Sequence, residues 1–397
     1  MKETNILISY SFEYALRGGN TMLYRKLAGE SVSILGFGCM RFPTIDNDTK
    51  NINKDLAIEM MRYAIDNGVN YVDTAIPYHG EMSELLVGEA LQDGYREKVK
   101  LATKLSGWYI KEYEDFEKMI EGQLQRLKTE CIDFYLVHAL DKGSWDKLKE
   151  LGVIQFLNKI KSEGTVKHIG FSFHGEYEEF EYIINDYSWE FCQIQLNYLD
   201  EEYQAGTKGL KYAKGKGLDV IIMEPLKGGR IVNNIAQPIK DIMDRSEEKK
   251  APIEWGLRYV WNFPEVSLIL SGMSEMSHVR ENIILSDKGH ANNMTGEDLK
   301  ILKDVDRYYK QKIKVGCTDC EYCMPCPAGV NIPACFELYN DASMFDDVEG
   351  VGKMYNRFVS DEKKASKCVG CGQCIEKCPQ NINIPEKLKE VVKTFGK

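Results

Sequence analysis

Between residue 23 and about residue 290 the apolar positions fall into two alternating patterns. Short runs that are apolar almost throughout recur at 34–38, 71–74, 99–104, 132–138, 168–172, 192–196, 219–223 and 267–271. Such runs suit parallel strands buried on both faces. Between them lie longer stretches with apolar residues on one helical face, as at 55–67, 83–91, 113–127, 154–163 and 253–261. Strands each followed by a helix, over about 250 residues, predict a (β/α)8 TIM barrel. The competing doubly wound sheet opens with G-x-G-x-x-G leading into a helix. Here the first strand continues Gly36-Phe-Gly38-Cys39-Met40-Arg41, with neither a third glycine nor a helix start. Residues 24–33 are expected to form a hairpin closing the barrel bottom, and 296–311 one more helix.

Composition removes several function classes. A net charge of −10 lacks the basic footprint of a nucleic-acid binder. No apolar run approaches the roughly 20 residues needed to span a bilayer, so neither nucleic acid nor membrane is expected as a partner. Three of the twelve cysteines, Cys39, Cys131 and Cys192, are scattered, and the other nine lie between Cys317 and Cys378. Residues 1–20 lack a secretory signal pattern, so the clustered cysteines point to metal binding in the cytoplasm, not to disulfides.

The spacing of those cysteines narrows the metal. Cys368-x2-Cys371-x2-Cys374-x3-Cys378-Pro379 matches the bacterial ferredoxin run, in which the cysteine before proline serves the other cluster. Cys317-x2-Cys320-x2-Cys323-x2-Cys326-Pro327 is one residue shorter before its last cysteine. Zinc also favours Cys-x2-Cys pairs. A triplet plus a Cys-Pro in each run, without a nearby histidine, suits two [4Fe–4S] clusters better. The segment Cys326-Pro-Ala-Gly-Val-Asn-Ile-Pro333 repeats as Cys378-Pro-Gln-Asn-Ile-Asn-Ile-Pro385, and each copy leads into a helical pattern. A pseudo-two-fold arrangement follows: Cys317, Cys320, Cys323 and Cys378 on one cluster, Cys326, Cys368, Cys371 and Cys374 on the other. Cys335 is left as a buried thiol, since the repeat puts Lys387 at its counterpart. Helix-like stretches at 334–339 and 346–358 make this part a small, mainly α-helical ferredoxin-like domain, similar to the iron–sulfur subunits of the succinate dehydrogenase type.

Three polar residues end consecutive apolar runs of the barrel: Asp73, Lys104 and His138, with Tyr78 five residues beyond Asp73. These positions fall at the C-terminal mouth, where barrel active sites lie. Their types suit carbonyl reduction. Tyr78 can donate the proton, a Lys104 cation would lower its pKa, Asp73 would aim the lysine, and His138 could bond the carbonyl oxygen. Any one of them could alternatively be an ordinary strand-end polar group.

These residues resemble the aldo-keto reductase family. The motifs that carry the resemblance are Gly68-Val-Asn-Tyr-Val-Asp73-Thr-Ala-x2-Tyr78, Ala102-Thr-Lys104, Asp133-x3-Val-His138, Gly170-Phe-Ser172, Glu224-Pro-Leu226 and Glu281-Asn282. Together with the cysteines they look like the subgroup with a C-terminal dicluster domain. The resemblance implies NAD(P)H across the barrel mouth and the tetrad Asp73, Tyr78, Lys104 and His138. It also implies that Ser172 and Gln193 bind the nicotinamide carboxamide, and that Gly38 and Cys39 line the cofactor. Leu226, Lys227 and Gly228 would follow the pyrophosphate, and Glu281 and Asn282 would hold the adenine end. Met223 stands where the family has a nicotinamide-stacking aromatic, and Phe173 where it has an asparagine. Gly272 and His278 occupy the positions that grip a 2′-phosphate, which puts the NADP preference in doubt and leaves Arg280 as the close substitute.

The expected organisation is a barrel over 23–312 and an iron–sulfur domain over 313–397. Residues 1–22 are set apart as a non-native extension, because the resemblance begins at Leu23 and Met22 is the expected start. The expected activity is hydride transfer between NAD(P)H and a small-molecule carbonyl. The alternatives are an electron-transfer protein whose barrel binds a nucleotide or flavin and whose clusters serve a redox partner, or clusters that act only as structural staples. Flavin is not specifically indicated.

Overall fold

The computed structural model describes residues 22–46, 48–317 and 320–396. The expected extension over residues 1–22 lies outside the described residues except for Met22. The chain divides into two compact units, one running to Asn233 and resuming over Lys250–Thr295, the other formed by Asn234–Lys249 and Gly296–Lys397.

The first unit begins with an antiparallel hairpin, β1 (Tyr24–Leu27) and β2 (Glu30–Ser33). Eight parallel strands follow: β3 (Leu35–Gly38), β4 (Tyr71–Asp73), β5 (Lys100–Leu105), β6 (Ile132–Leu140), β7 (Val166–Phe173), β8 (Phe191–Gln195), β9 (Asp219–Met223) and β10 (Val266–Ser271). They pair in chain order, and β10 closes on β3. The sheet is therefore the expected barrel and has no open edge. Leu27 and Val32 of the hairpin pack with Tyr71, Phe134, Phe191 and Leu268, plugging the barrel interior from the hairpin side. Arg25 adds a polar clamp there. Its guanidinium donates to the carbonyls of Trp261 (2.6 Å), Phe263 (3.0 Å), Val266 (2.7 Å) and Gly289 (3.0 Å).

In the second unit, helices Ile332–Met344 and Ile384–Phe395 start at the two copies of the repeat. Asn331 accepts from the Ala334 N–H and Asn383 from the Glu386 N–H, with proline in each first turn. The Asn-Ile-Pro sequence is thus a helix start used twice, an N-cap followed by a residue whose missing N–H costs nothing there. The second expected stretch, 346–358, forms a helix only from Val348, because the Asp347 side chain caps it at the Gly350 N–H. Val330, Phe336, Val351, Tyr355, Leu388 and Val391 form the core beside the cysteine loops. Cys335 belongs to that core, fully buried, with its sulfur 3.7 Å from the Tyr355 hydroxyl.

Helices Ser83–Ala90 and Tyr113–Leu127, which follow β4 and β5, meet at Gly88. A Cβ there would stand 2.2 Å from the Arg126 carbonyl oxygen and 2.9 Å from the Leu127 Cα, both backbone atoms. Gly88→Ala should therefore lower stability by about 1–3 kcal/mol through overpacking. A urea midpoint equal to wild type would contradict this close approach.

Candidate functional site

Strand register decides which side chains meet at the barrel mouth. Gly38 pairs with Asp73, Asp73 with Ala102, and Lys104 with Leu136. The two-residue period of a strand then puts Lys104 on the face of Ala102 and His138 on the face of Leu136. Tyr78 opens the tight turn Tyr78–Glu81 after β4.

The four side chains form one constellation around a fully buried ammonium. Lys104 Nζ donates to both Asp73 carboxylate oxygens (2.7 and 2.8 Å), to the Thr74 carbonyl (2.8 Å) and to the Tyr78 hydroxyl (3.2 Å). Burial works against the charge on Lys104, but Asp73 and Tyr78 outweigh it and hold the amine above its ordinary pKa. His138 Nδ1 lies 3.3 Å from the Ser106 hydroxyl, and its ring stands edge-on to Tyr78 with centroids 6.1 Å apart. Burial, then the Lys104 charge and His174, hold the imidazole well below its ordinary pKa, so it is neutral at pH 7. Tyr78 differs from the expectation. Burial raises the phenol above its ordinary pKa, and Lys104 only partly draws it back. The sequence showed the cation but not the loss of water.

A second buried network fixes β5 from behind. Glu84 accepts from the Thr103 hydroxyl (2.6 Å), Gln123 (3.0 Å) and Arg126 (2.7 Å), while Gln123 also donates to the Lys104 carbonyl (2.9 Å). Nothing in the spacing of Glu84 and Gln123 separates them from helix-surface residues.

Asp73, Tyr78 and His138 open onto a cavity of about 520 Å³. Ten of the twelve residues assigned to the cofactor line it: Gly38, Ser172, Gln193, Met223, Leu226, Gly228, Gly272, His278, Glu281 and Asn282. Cys39 is fully buried and Lys227 sends its ammonium to Asp200 (2.9 Å); neither is among the lining residues. Arg280 lies over the Tyr63 ring, 5.5 Å from its centroid, whereas Arg41 and His174 line the cavity unanticipated. Two lining side chains hold buried acceptors without a hydrogen-bond partner among the described residues, Gln193 Oε1 and Asn282 Oδ1. Their amide nitrogens are engaged, by Met223 sulfur (3.5 Å) and by the Ser271 hydroxyl (2.8 Å). Buried acceptors of this kind are costly unless a donor reaches them.

In the second unit Cys317, Cys320, Cys323 and Cys378 line one small cavity with Ile332, Phe336 and Ile384. Cys374 interacts electrostatically with Cys368, Cys326 and Cys371. Burial, then the neighbouring Cys317, Cys374 and Cys320, push the Cys323 thiol up to about 11. Clustered thiolates repel, so these sets become donor groups only with cations among them. Among the described residues no three His, Cys, Asp or Glu side chains form a site for a single metal ion.

The chain belongs to the aldo/keto reductase family, whose model matches residues 34–305. A 4Fe-4S dicluster domain matches residues 316–382. The chain is an oxidoreductase of this barrel type with an appended iron–sulfur domain. It is 28% identical over 317 residues to the uncharacterized oxidoreductase YqkF of Bacillus subtilis, covering 71% of this chain and 96% of that one. It is 36% identical over 155 residues to "Probable aldo-keto reductase 1" of Glycine max, covering 36% of this chain and 42% of the soybean protein. An aldo-keto reductase from Klebsiella pneumoniae, solved in complex with NADPH, superposes with a TM-score of 0.58 at 20% identity, covering 72% of this chain and 95% of that one. Among the described residues no helix is long and apolar enough to cross a membrane.

The pairing of Lys104 with Asp73 carries a stability prediction. Lys104→Met strands a buried carboxylate and should cost about 3–5 kcal/mol. Adding Asp73→Asn should recover most of it. Urea denaturation of the three proteins checks both statements, and an unchanged midpoint in Lys104→Met would sink the first.

Proposed function

We propose that the chain is an NAD(P)H-dependent carbonyl reductase built on residues 23–312, with two [4Fe–4S] clusters in residues 313–397. The observation that carries the nucleotide reading is the pair of orphaned acceptors. Gln193 and Asn282 line the cavity that Tyr78 and His138 open onto, and each holds a buried acceptor with no partner among the described residues. A nicotinamide carboxamide and an adenine each present an amino donor of the kind these acceptors lack. The NADPH complex of the Klebsiella structure supports the same choice.

When bound, the cofactor supplies hydride to a carbonyl carbon. This chain supplies the rest. Tyr78 gives its proton to the carbonyl oxygen, a role that the raised pKa suits, because the phenol stays protonated through neutral pH. Lys104, hydrogen-bonded to that hydroxyl, stabilises the phenolate left behind, and Asp73 keeps the ammonium charged and aimed. Neutral His138 donates a hydrogen bond to the oxygen as negative charge develops on it. Trp108, half exposed with its ring 5.1 Å from His138, gives the rim an apolar face for a small-molecule substrate.

For the clusters, Cys317, Cys320, Cys323 and Cys378 form one donor set and Cys326, Cys368, Cys371 and Cys374 the other. The cavity shared by the first four supports this assignment. Loaded clusters would supply one-electron capacity, and the residues around them supply a thiol-lined seat in which Cys320 and Cys371 are exposed.

Two outcomes test the reading. Tyr78→Phe should lower kcat for carbonyl reduction by roughly 10²-fold or more, with NAD(P)H affinity nearly kept. The wild-type reductive rate should stay level through neutral pH and fall only as pH rises past the phenol's ordinary value near 10. Wild-type turnover in Tyr78→Phe would remove Tyr78 from the proton-donor role. For the clusters, anaerobically purified wild type and Cys335→Ser should each carry about eight irons per chain, and Cys326→Ser about four. Adding Cys371→Ser to Cys326→Ser should change little, whereas adding Cys320→Ser should remove nearly all iron. The reverse pattern would show that the sets do not cross.

A further inference from the structure

The two halves of the cysteine repeat are alike in spacing and opposite in charge. Each triplet exposes its middle cysteine, Cys320 in the first and Cys371 in the second. From Val315 to Val330 the first half carries Asp319 and Glu321 and no lysine or arginine. From Lys363 to Lys377 the second carries Lys363, Lys364, Lys367 and Lys377 against the single acid Glu376. The sign is thus reversed locally in a chain whose net charge is −10.

The structure gathers part of this charge beside the second triplet. Lys364, Lys367 and Lys389 line, with Ser366, Cys368 and Gly370, a groove of about 620 Å³. Lys364 is engaged by Asp361 (2.8 Å) and Lys389 by Glu386 (2.7 Å). Lys367 is exposed, and its ammonium has no hydrogen bond or ion pair among the described residues. Next to the groove Val369 is 74% exposed and Ile375 38%. The loop between them has a low profile. Gly370 and Gly372 both have positive φ (71° and 76°), and a Cβ on either would meet nothing within 4 Å. The outer side of the loop around Cys371 is therefore open among the described residues.

Thiolate sets that hold iron are negative overall, so acidic neighbours make the first face negative throughout, whereas lysines offset that charge at the second. We infer that the face around Cys371 is the docking surface for a small acidic one-electron carrier protein. Val369 and Ile375 supply its apolar part, and Lys367 and Lys389 the charge that orients the carrier. Redox encounters bury little area and depend on such charges for rate and register, so no larger apolar patch is needed. One electron crosses the contact. The cluster held by Cys326, Cys368, Cys371 and Cys374 loses it as the carrier gains it, or the reverse, and no bond is made or broken. This rests on the two-cluster assignment proposed above, and it gives the exchange with a partner to the second cluster.

Binding of two purified carriers tests it, an acidic flavodoxin and the basic cytochrome c, each followed by fluorescence anisotropy against anaerobically purified, iron-loaded protein. At an ionic strength of about 0.1 M the screening length is about 10 Å, so only nearby charges count. Wild type should bind flavodoxin more tightly than cytochrome c, and less tightly as salt is raised. Lys367→Glu combined with Lys389→Glu should weaken flavodoxin binding roughly 10-fold or more, with iron content kept. Lys367→Gln with Lys389→Gln should give a smaller loss in the same direction. Glu321→Lys, the opposite change on the other face, should leave Kd within about two-fold. Iron-loaded wild type that does not bind flavodoxin, or binds cytochrome c more tightly, would overturn the assignment. Stronger binding in Glu321→Lys with no effect of the lysine changes would overturn it too, by moving the carrier to the first face. Wild type that purifies anaerobically without iron would defeat the two-cluster reading itself, and this inference with it.

Discussion

The barrel mouth is organised by one requirement: an ammonium group with no access to water stays charged only if every direction it faces offers an acceptor. Lys104 meets that requirement with two carboxylate oxygens, one carbonyl and one phenol, drawn from β4, the residue after it and the turn beyond. Satisfying a single nitrogen thus fixes the end of β4, the path of the following loop and the place of the Tyr78 hydroxyl. The buried Glu84–Gln123 network holds the other side of β5, so the ammonium cannot relax away from its partners. The places of the Asp73 carboxylate and the Tyr78 hydroxyl are consequences of that one anchoring.

The barrel was legible in the sequence because both faces of its strands are buried, which turns each strand into an unbroken apolar run such as 132–137. Asp73, Lys104 and His138 were legible because each interrupts such a run at the same end. Effects that depend on closure were not. The direction of the Tyr78 shift depends on how completely neighbouring loops remove water, and no local pattern encodes that. Arg41 escaped notice for a related reason. Its neighbours Gly228 and Gly272 are about 190 and 230 positions away in the chain and meet it only when the first and last strands pair.

In the cysteine-rich unit the limiting quantity is apolar volume. Its core is small, and the cysteine loops pack directly against it. Two Asn-Ile-Pro helix starts set the directions in which the chain leaves the Cys-Pro corners. The repeat was readable as a helix signal because capping is local chemistry. The grouping of Cys378 with residues some sixty positions earlier follows from packing of those helices, which the spacing hinted at only through the ferredoxin pattern.

The Arg25 clamp bears on the order of events during synthesis. The hairpin is synthesised more than 200 residues before the carbonyls that Arg25 binds, which belong to Trp261, Phe263, Val266 and Gly289. Until those residues are made, β3 and the hairpin have neither the closing strand nor a partner for the guanidinium. At a synthesis rate of about 5–20 residues per second, the nascent barrel stays an open sheet for ten seconds or more. During that interval both the unpaired edge of β3 and the plug residues Leu27 and Val32 stand exposed, so this is the stage at which the chain most needs protection from association with its neighbours.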